Sequence, residues 1–436
     1  MADSLRIGLA GLGTVGTGVI RLLETNRNLL TARAGRPLEL VAVSARDRHR
    51  HRGIDLSLYG WEDDMSELAR RDDVDVVVEL VGGSDGPALA LAKAALGAGK
   101  PLVTANKAMI AHHGLALAEL AEAKDVALKF EAAVAGGIPV VKGLREGTSA
   151  NALERIYGIL NGTCNYILST MEDTGADFAE VLREAQAKGY AEADPTFDIE
   201  AIDAAHKLSI LAAIGFGARI DFAAVRTTGI AQVKAADIAQ ADALGYVIRL
   251  IAMTDVELDD GGTPRLLQRV RPCLVPKQHP LASVDGPTNA VVAEGNFSGR
   301  LLFQGAGAGE GPTASAVVAD LIDIARDEVG APFSIPVAQL AAMPPAEPGH
   351  RMERTYLRFT VADRPGVLAE ITAAMRDAGV SIESLIQKAR PDDGGDVLVA
   401  MVTHEGPERS IAEALALLEG SESLTAQPLV LPILPD

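Results

Sequence analysis

Leu5-Arg6-Ile7-Gly8-Leu9-Ala10-Gly11-Leu12-Gly13-Thr14-Val15-Gly16 runs from an apolar strand into a glycine turn and on toward a helix. Leu5 to Ala10 is nearly all apolar, the signature of a strand covered on both faces. Gly11-x-Gly13-x-x-Gly16 then permits a tight turn, a close approach of a ligand to the backbone, and helix–strand packing. A helix to about Asn28 follows, and its N-terminus attracts an anion such as a pyrophosphate. The loop Gly11, Gly13, Thr14, Val15 and Gly16 is therefore the expected dinucleotide contact.

Working outward, further strands read at Leu38–Val43, Val74–Val81, Leu102–Thr104 and Ala127–Phe130, with an Ala/Leu helix at Pro87–Ala98. Apolar strands separated by helices indicate a parallel sheet covered on both sides, an α/β, Rossmann-type doubly wound domain over residues 1–140. An NAD enzyme usually carries Asp or Glu at the end of the second strand. Here Ser44-Ala45-Arg46 stands there, so Arg46 is read as a 2′-phosphate contact, with NADP(H) ahead of NAD(H). Arg48, Arg50 and Arg52 read as a solvated loop.

From about residue 140 the pattern changes to α+β, with a strand near Ile156–Leu160 and helices at Tyr166–Glu172, Phe178–Lys188 and Pro195–Ile214. In the last of these, Asp194 reads as N-cap and Pro195 as the first helical residue. Asp203 precedes Lys207 by four residues, which places both on one helix face. Gly305–Thr313 is glycine-rich and introduces a helix at about Ala314–Asp327. Residues 343–352 read as a linker. Beyond it, a strand at Thr355–Val361, the turn Asp363–Gly366, a helix to Ala378, strands at Val380–Lys388 and Val397–His404 around the turn Pro391–Gly395, a helix at Glu408–Leu418 and a last strand give the ferredoxin-like βαββαβ order.

Composition bounds the partners. The formal charge of −19 argues against nucleic acid or an anionic membrane as the main partner. Two cysteines, Cys164 and Cys273, are too few for a disulfide framework or a thiolate metal site, so a cytoplasmic location is expected. No apolar run has the length of a spanning helix. The histidines lack zinc spacing, and His112, His113, His49 and His51 read as solvated.

Gly11–Gly16, Thr104–Lys107, Glu131–Pro139, Asn161–Leu168, Ala185–Lys207 and Gly305–Thr313 together resemble homoserine dehydrogenase along nearly the whole chain. The one departure noted is Ala201, where the family usually has glycine; an alanine favours helix, so little change is expected. The resemblance implies reversible, NAD(P)H-dependent reduction of L-aspartate 4-semialdehyde to L-homoserine, toward threonine and methionine. It implies a catalytic and dimerisation domain at 141–304, and a nucleotide domain completed by about 305–342. Lys207, Lys107 and Asp203 become the proton-handling group. Glu192, Asp198, Asp203 and Lys107 become substrate contacts, and Thr104, Lys107 and Gly309 further cofactor contacts. Backbone oxygens of Glu131, Val134, Gly136 and Ile138 are implied as a site for a monovalent cation, Na+ or K+.

Thr360–Ile371 within the βαββαβ order resembles an ACT domain, here residues 353–436. That resemblance implies an amino-acid effector, threonine first, at Asp363, Pro365, Gly366, Val367 and Leu368, and assembly as a homodimer or homotetramer. The chain opens on the first strand, so the monofunctional form without a leading kinase domain is expected. The rival readings are a non-catalytic NADP-dependent amino-acid sensor and another ACT-bearing NAD(P) dehydrogenase, such as phosphoglycerate dehydrogenase, which needs a catalytic histidine beside a carboxylate.

Overall fold

The computed structural model describes residues 3–259, 261–347, 349–387 and 397–435. Strands β1 (Leu5–Ala10), β2 (Leu38–Ser44), β3 (Gly60–Glu62), β4 (Val76–Glu79), β5 (Leu102–Thr104) and β6 (Leu128–Lys129) form a parallel sheet in the order β3-β2-β1-β4-β5-β6. Its chain reversal lies at β1/β4, where β1 pairs β2 on one side and β4 on the other, so ligands are expected at that crevice. Helices α1 (Thr14–Thr25), α2 (Arg27–Ala34), α3 (Pro87–Gly97) and α4 (Lys107–Lys124) cover the faces. The first helix stops at Asn26 and restarts, where the sequence reads one helix to Asn28. The strand expected over Val74–Val81 is confined to its four central residues, because Glu79 turns the chain by accepting the N–H groups of Val81 and Gly82. The short edge strand β3 escaped the sequence reading.

After the single turn α5 (Val140–Lys142), a second sheet follows the order β12-β11-β7-β9-β10-β8. Its strands are β7 (Leu153–Ile159), β8 (Arg226–Thr227), β9 (Tyr246–Leu258), β10 (Pro264–Pro276), β11 (Thr288–Gly295) and β12 (Gly299–Ala306). Helices α6 (Gly162–Thr174), α7 (Phe178–Ala187), α8 (Thr196–Ile199), α9 (Ile202–Phe216) and α10 (Ala235–Ala243) belong to this part, and α9 packs on β7, β9 and β10. The helix expected over Pro195–Ile214 is two helices. Ala201 breaks it in the left-handed region at φ +66, a conformation in which glycine is unstrained and alanine is not. The expectation that alanine here simply favours helix is therefore overturned, and the family's glycine has a backbone reason.

Helix α11 (Glu310–Ala325) starts four residues before the expected Ala314 and returns to lie against α1. The contact is close: a Cβ on Gly18 would lie 2.6 Å from the Glu310 side chain. Segment 344–346 hydrogen-bonds along β10 through Leu266 rather than running free.

The C-terminal part pairs β13 (Met352–Glu353) with β17 (Gly406–Pro407), beside a four-stranded antiparallel sheet in the order β15-β16-β14-β18. Those strands are β14 (Thr355–Val361), β15 (Ile382–Gln387), β16 (Val397–Thr403) and β18 (Leu429–Pro432). Helices α12 (Val367–Asp377) and α13 (Glu408–Leu417) pack on it around Phe359, Ile371 and Val399. The turn expected at Pro391–Gly395, like Lys388, lies outside the described residues. Ion pairs join this part to the second one, among them Arg271 of β10 with Glu353 of β13 at 2.6 Å. Arg358 of β14 donates to the buried Asp237 of α10 at 2.8 Å, and Arg269 of β10 makes a two-pronged bond to Glu408 at 2.9 Å per arm.

Candidate active site

At the end of β1 the three glycines divide their tasks. Gly11 has φ +98, and a Cβ there would lie 2.4 Å from the Leu80 carbonyl oxygen. A Cβ on Gly16 would lie 2.0 Å from the oxygen of Gly11, so α1 and the turn interlock. Gly13, between them, faces open space, with nothing within 4 Å of its missing Cβ. That is the cradle a pyrophosphate needs: closed behind, open in front, at the head of a helix. Thr14 and Val15 form the first turn of α1. Gly309 caps α11 at φ +122, and the neighbouring Glu310 pairs with Arg21 of α1 at 2.6 Å, which holds this segment against the nucleotide helix.

Arg46 lies exposed just past β2, and among the described residues its guanidinium has no partner. Of the other arginines of that loop, Arg48 and Arg50 are exposed, in line with the solvated reading, and Arg52 is not. Arg52 donates to the Leu12 carbonyl at 3.1 Å and to the carbonyls of Asp47 and Arg50, which ties the loop to the glycine turn. Arg48 lies over the Trp61 ring.

On the other side of β1, buried Glu79 ends β4 and accepts the Thr104 hydroxyl at 2.6 Å. Thr104 in turn accepts the Asn106 N–H, while the Asn106 side chain caps α4 at Met109 and donates to the Gly83 carbonyl. Lys107, the first residue of α4, is thereby fixed at the C-terminal edge of the sheet. Glu79 and Asn106 were not singled out from sequence. A carboxylate closing an all-valine strand was the available signal.

Lys107 reaches across to the second sheet's helices. Its Nζ is 3.0 Å from Asp203 Oδ1, and Lys207 Nζ is 2.7 Å from Asp203 Oδ2 and 2.7 Å from the Leu160 carbonyl. Two ammonium groups from distant parts of the chain thus share one carboxylate. Asp203 is buried, which alone pushes its carboxyl up, but Lys207, Lys107 and hydrogen bonds from Lys207 and Asn161 outweigh burial and leave it well below the usual carboxylate range. Asp198 sits beside it, bonded by Asn161 at 2.7 Å and Thr163 at 3.1 Å. Burial pushes Asp198 up, with those hydrogen bonds opposing. In an unbroken helix, residues 198 and 203 would point about 140° apart. The corner at Ala201 is what brings Asp198 and Asp203 together onto Asn161. Asp194 accepts the Thr196 N–H at 3.1 Å, but the helix begins at Thr196 with Pro195 as its cap residue, one residue later than the sequence reading.

Glu192 is not in this cluster. It lies exposed on the turn after α7, and among the described residues its carboxylate has no partner. His206 and His112 are not simply solvated: their Nε2 atoms are 3.2 Å apart. The His206 ring is stacked against Phe222 at 4.2 Å and Phe197 at 5.6 Å. Lys107 Nζ lies 5.7 Å from the Phe197 ring. Burial, then His112 and Lys107, depress His206 to about 4, so it stays neutral beside the lysines. His113 pairs with Asp85. Cys164, at the head of α6, is buried and its thiol is pushed up by burial.

Glu131 opens the loop implied as a cation site. Its carboxylate accepts the N–H groups of Val141 and Lys142, and burial, with Asp320 nearby, raises it to about 7. Ala135 and Gly136 turn the loop with φ +53 and +46. The Ile138 carbonyl already accepts the Val140 N–H, and Val134 is buried. The side-chain oxygens are engaged with the backbone, so any cation here would be held by carbonyl oxygens, which suits a hard monovalent ion. At the other end of the molecule, Gly366 caps α12 at φ +98, Asp363 and Pro365 are exposed, Val367 is buried and Leu368 half-buried. Arg364 donates to Ser423, and Glu370 of α12 accepts from Ser421 and Ser423.

Comparison with known proteins follows the same division. The family profile described as "Homoserine dehydrogenase, NAD binding domain" matches residues 11–131, "Homoserine dehydrogenase" matches 139–322, and "ACT domain" matches 355–420. A homoserine dehydrogenase of Pseudomonas aeruginosa is 43% identical, covering 97% of this chain and 96% of that protein. One from Mycobacterium tuberculosis is also 43% identical, over 96% of this chain and 95% of its own. The crystal structure of a homoserine dehydrogenase from Thiobacillus denitrificans superposes with a TM-score of 0.91 at 40% identity, covering 99% and 98% of the two chains. A hyperthermophilic archaeal homoserine dehydrogenase in complex with NADPH superposes with a TM-score of 0.62 at 25% identity, over 74% of this chain and 98% of its own.

Proposed function

The chain belongs to the homoserine dehydrogenase family, and from that premise we propose how its own residues serve the reaction. It is an NAD(P)-dependent oxidoreductase acting on a CH–OH group, interconverting L-homoserine and L-aspartate 4-semialdehyde, and it carries an ACT domain suited to amino-acid regulation. A bound nicotinamide supplies the redox chemistry of the pair, hydride acceptance in one direction and donation in the other. The protein's part is to hold the substrate oxygen and move its proton.

Lys107 and Lys207 perform that part. On reduction the aldehyde oxygen gains negative charge, which an ammonium stabilises before giving up its proton; oxidation runs the same path backward. The convergence of both ammonium groups on Asp203 is the observation that carries this reading. Lys207 has two of its donors engaged, and Lys107 is one-third exposed with one carboxylate contact. Asp203 keeps the two cations together, and Asp198 offers a carboxylate to the substrate's α-ammonium. Glu192, on an exposed turn, serves the same ammonium when the turn closes over the substrate. Gly11, Gly13, Thr14, Val15, Gly16, Thr104 and Gly309 line the cofactor.

The finer assignments are ours as well. Arg46 reads the 2′-phosphate, which favours NADPH over NADH; its exposure and lack of a partner support this. Carbonyls of Glu131, Val134, Gly136 and Ile138 hold Na+ or K+. Threonine binds at Asp363–Leu368, the enzyme is a homodimer or homotetramer, and it works in the cytoplasm. The domains are 1–140 with 305–342, 141–304, and 353–436 after a connecting segment at 343–352. Consumption of NADPH followed at 340 nm with L-aspartate 4-semialdehyde tests the reading; tight NADPH binding without turnover would replace it with a sensor. In the same assay Arg46→Ala should raise KM for NADPH about fivefold or more while sparing NADH, and L-threonine should inhibit.

A further inference from the structure

Among the buried side chains around Asp203, Asn161 is the one whose hydrogen bonds join the carboxylates to each other. It stands at the turn from β7 into α6 and is 2% exposed. Its Oδ1 accepts the Cys164 N–H at 2.8 Å, so it caps α6. That bond fixes which way the amide faces. Both hydrogens of Nδ2 must then point the other way, and they do: one to Asp198 Oδ1 at 2.7 Å, the other to Asp203 Oδ2 at 2.9 Å. The preceding residue, Leu160, gives its carbonyl to Lys207. Asp203 Oδ2 therefore receives Asn161 and Lys207 together, and its Oδ1 is left for Lys107.

We propose that Asn161 is the positioning residue of the proton-handling centre: its carboxamide orients Asp203 between the two lysines and holds Asp198 in the same frame. The proposal rests on the assignment of Lys107, Lys207 and Asp203 given above. A neutral double donor is the side chain this spot requires. An acid would set a third carboxylate against two. A hydroxyl has one hydrogen to give, and an apolar group would leave each carboxylate short of one donor. With Asp203 free to rotate, the lysines lose the common carboxylate that anchors their two ammonium groups, and the alignment that makes proton transfer fast is lost.

The variant Asn161→Asp separates positioning from mere structure. It keeps the shape and the helix cap, since Asp caps as well as Asn, but turns the donor into an acceptor. Homoserine oxidation should fall in kcat by about 30-fold or more with KM changed less than about threefold, and the acid limb of the kcat–pH profile should move upward. The titratable and charged groups that face Asp203 are Lys107 of α4, Asp198 of α8, Lys207 and His206 of α9, and Cys164 of α6, with His112 behind His206. Asn161→Ser, which keeps a cap but is too short to reach both carboxylates, covers the case in which the Asp variant does not fold. It should lose kcat in the same sense. An Asp or Ser variant with the parent's kcat and pH profile overturns the proposal. Absence of homoserine oxidation in the parent enzyme would instead overturn the functional reading beneath it.

Discussion

The cofactor cradle and the lysine–carboxylate centre both draw on the C-terminal edge of the first sheet but are built from different materials. The cradle is backbone: three glycines within six residues, with selectivity set by where a Cβ has no room. The centre is side chain: Lys107, Asn161, Asp198, Asp203 and Lys207 come from four segments and are held by charged hydrogen bonds. The first tolerates no added atom at Gly11 or Gly16. The second tolerates no lost donor. Steric sites fail by exclusion of the ligand, and electrostatic sites fail by misalignment with the ligand still bound.

The largest effect should come from the electrostatic side. Lys207→Ala is expected to lower kcat by about 10³-fold while NADPH affinity, read by fluorescence titration, stays within about twofold. A parallel loss of affinity would blur the division between the two regions. Next comes the pH dependence of the ring stack beside the lysines. His206 is depressed to about 4 from an ordinary value near 6.5, so between those values the folded state binds fewer protons than the unfolded one. Stability should therefore be complete above about pH 6.5 and be lost as pH falls toward 4, by up to about 3 kcal/mol. In urea titrations His206→Phe should remove that slope; an unchanged slope would assign it elsewhere.

On the steric side, Gly11→Ala should raise the Kd for NADPH at least about tenfold, because its methyl would meet the Leu80 carbonyl at a positive φ. With cofactor saturating, its kcat should recover, which is the opposite of Lys207→Ala. The smallest effect is Ala201→Gly. Relief of the left-handed strain is offset by a more flexible unfolded chain and a lost buried methyl, for a net gain of at most about 1 kcal/mol in thermal unfolding. A loss larger than that would show the methyl's packing to outweigh the strain.

The cradle was legible because its information is local: strand, turn glycines and helix lie within one short stretch, and each glycine has a reason that spacing displays. The Asp203–Lys207 pair was legible for the same cause, as an i,i+4 match. What spacing does not display is a neutral side chain acting between distant segments, so Asn106 and Asn161 were read only as members of the segments Thr104–Lys107 and Asn161–Leu168, with no role of their own. Ala201 misled because helix propensity speaks for alanine, while the corner is imposed by the need to turn Asp198 back. The long strands β9 and β10 carry Arg249, Arg269 and Arg271, whose charges obscured strand alternation. In the fold those arginines pair with Glu172, Asp285, Glu353 and Glu408. The ACT order was legible from pattern alone, since each of its elements is short and bounded by turn residues.

The bonds from Arg358 to Asp237 and from Arg269 to Glu408 bear on how a message could leave the C-terminal module. Arg358 and Asp237 are both buried, so their bond is a desolvated, hydrogen-bonded pair and not a loose surface contact. On the proposal that an amino acid binds this module, the ligand would act as a lever does, by tilting an intact joint, with α10, which carries Asp237, as the fulcrum.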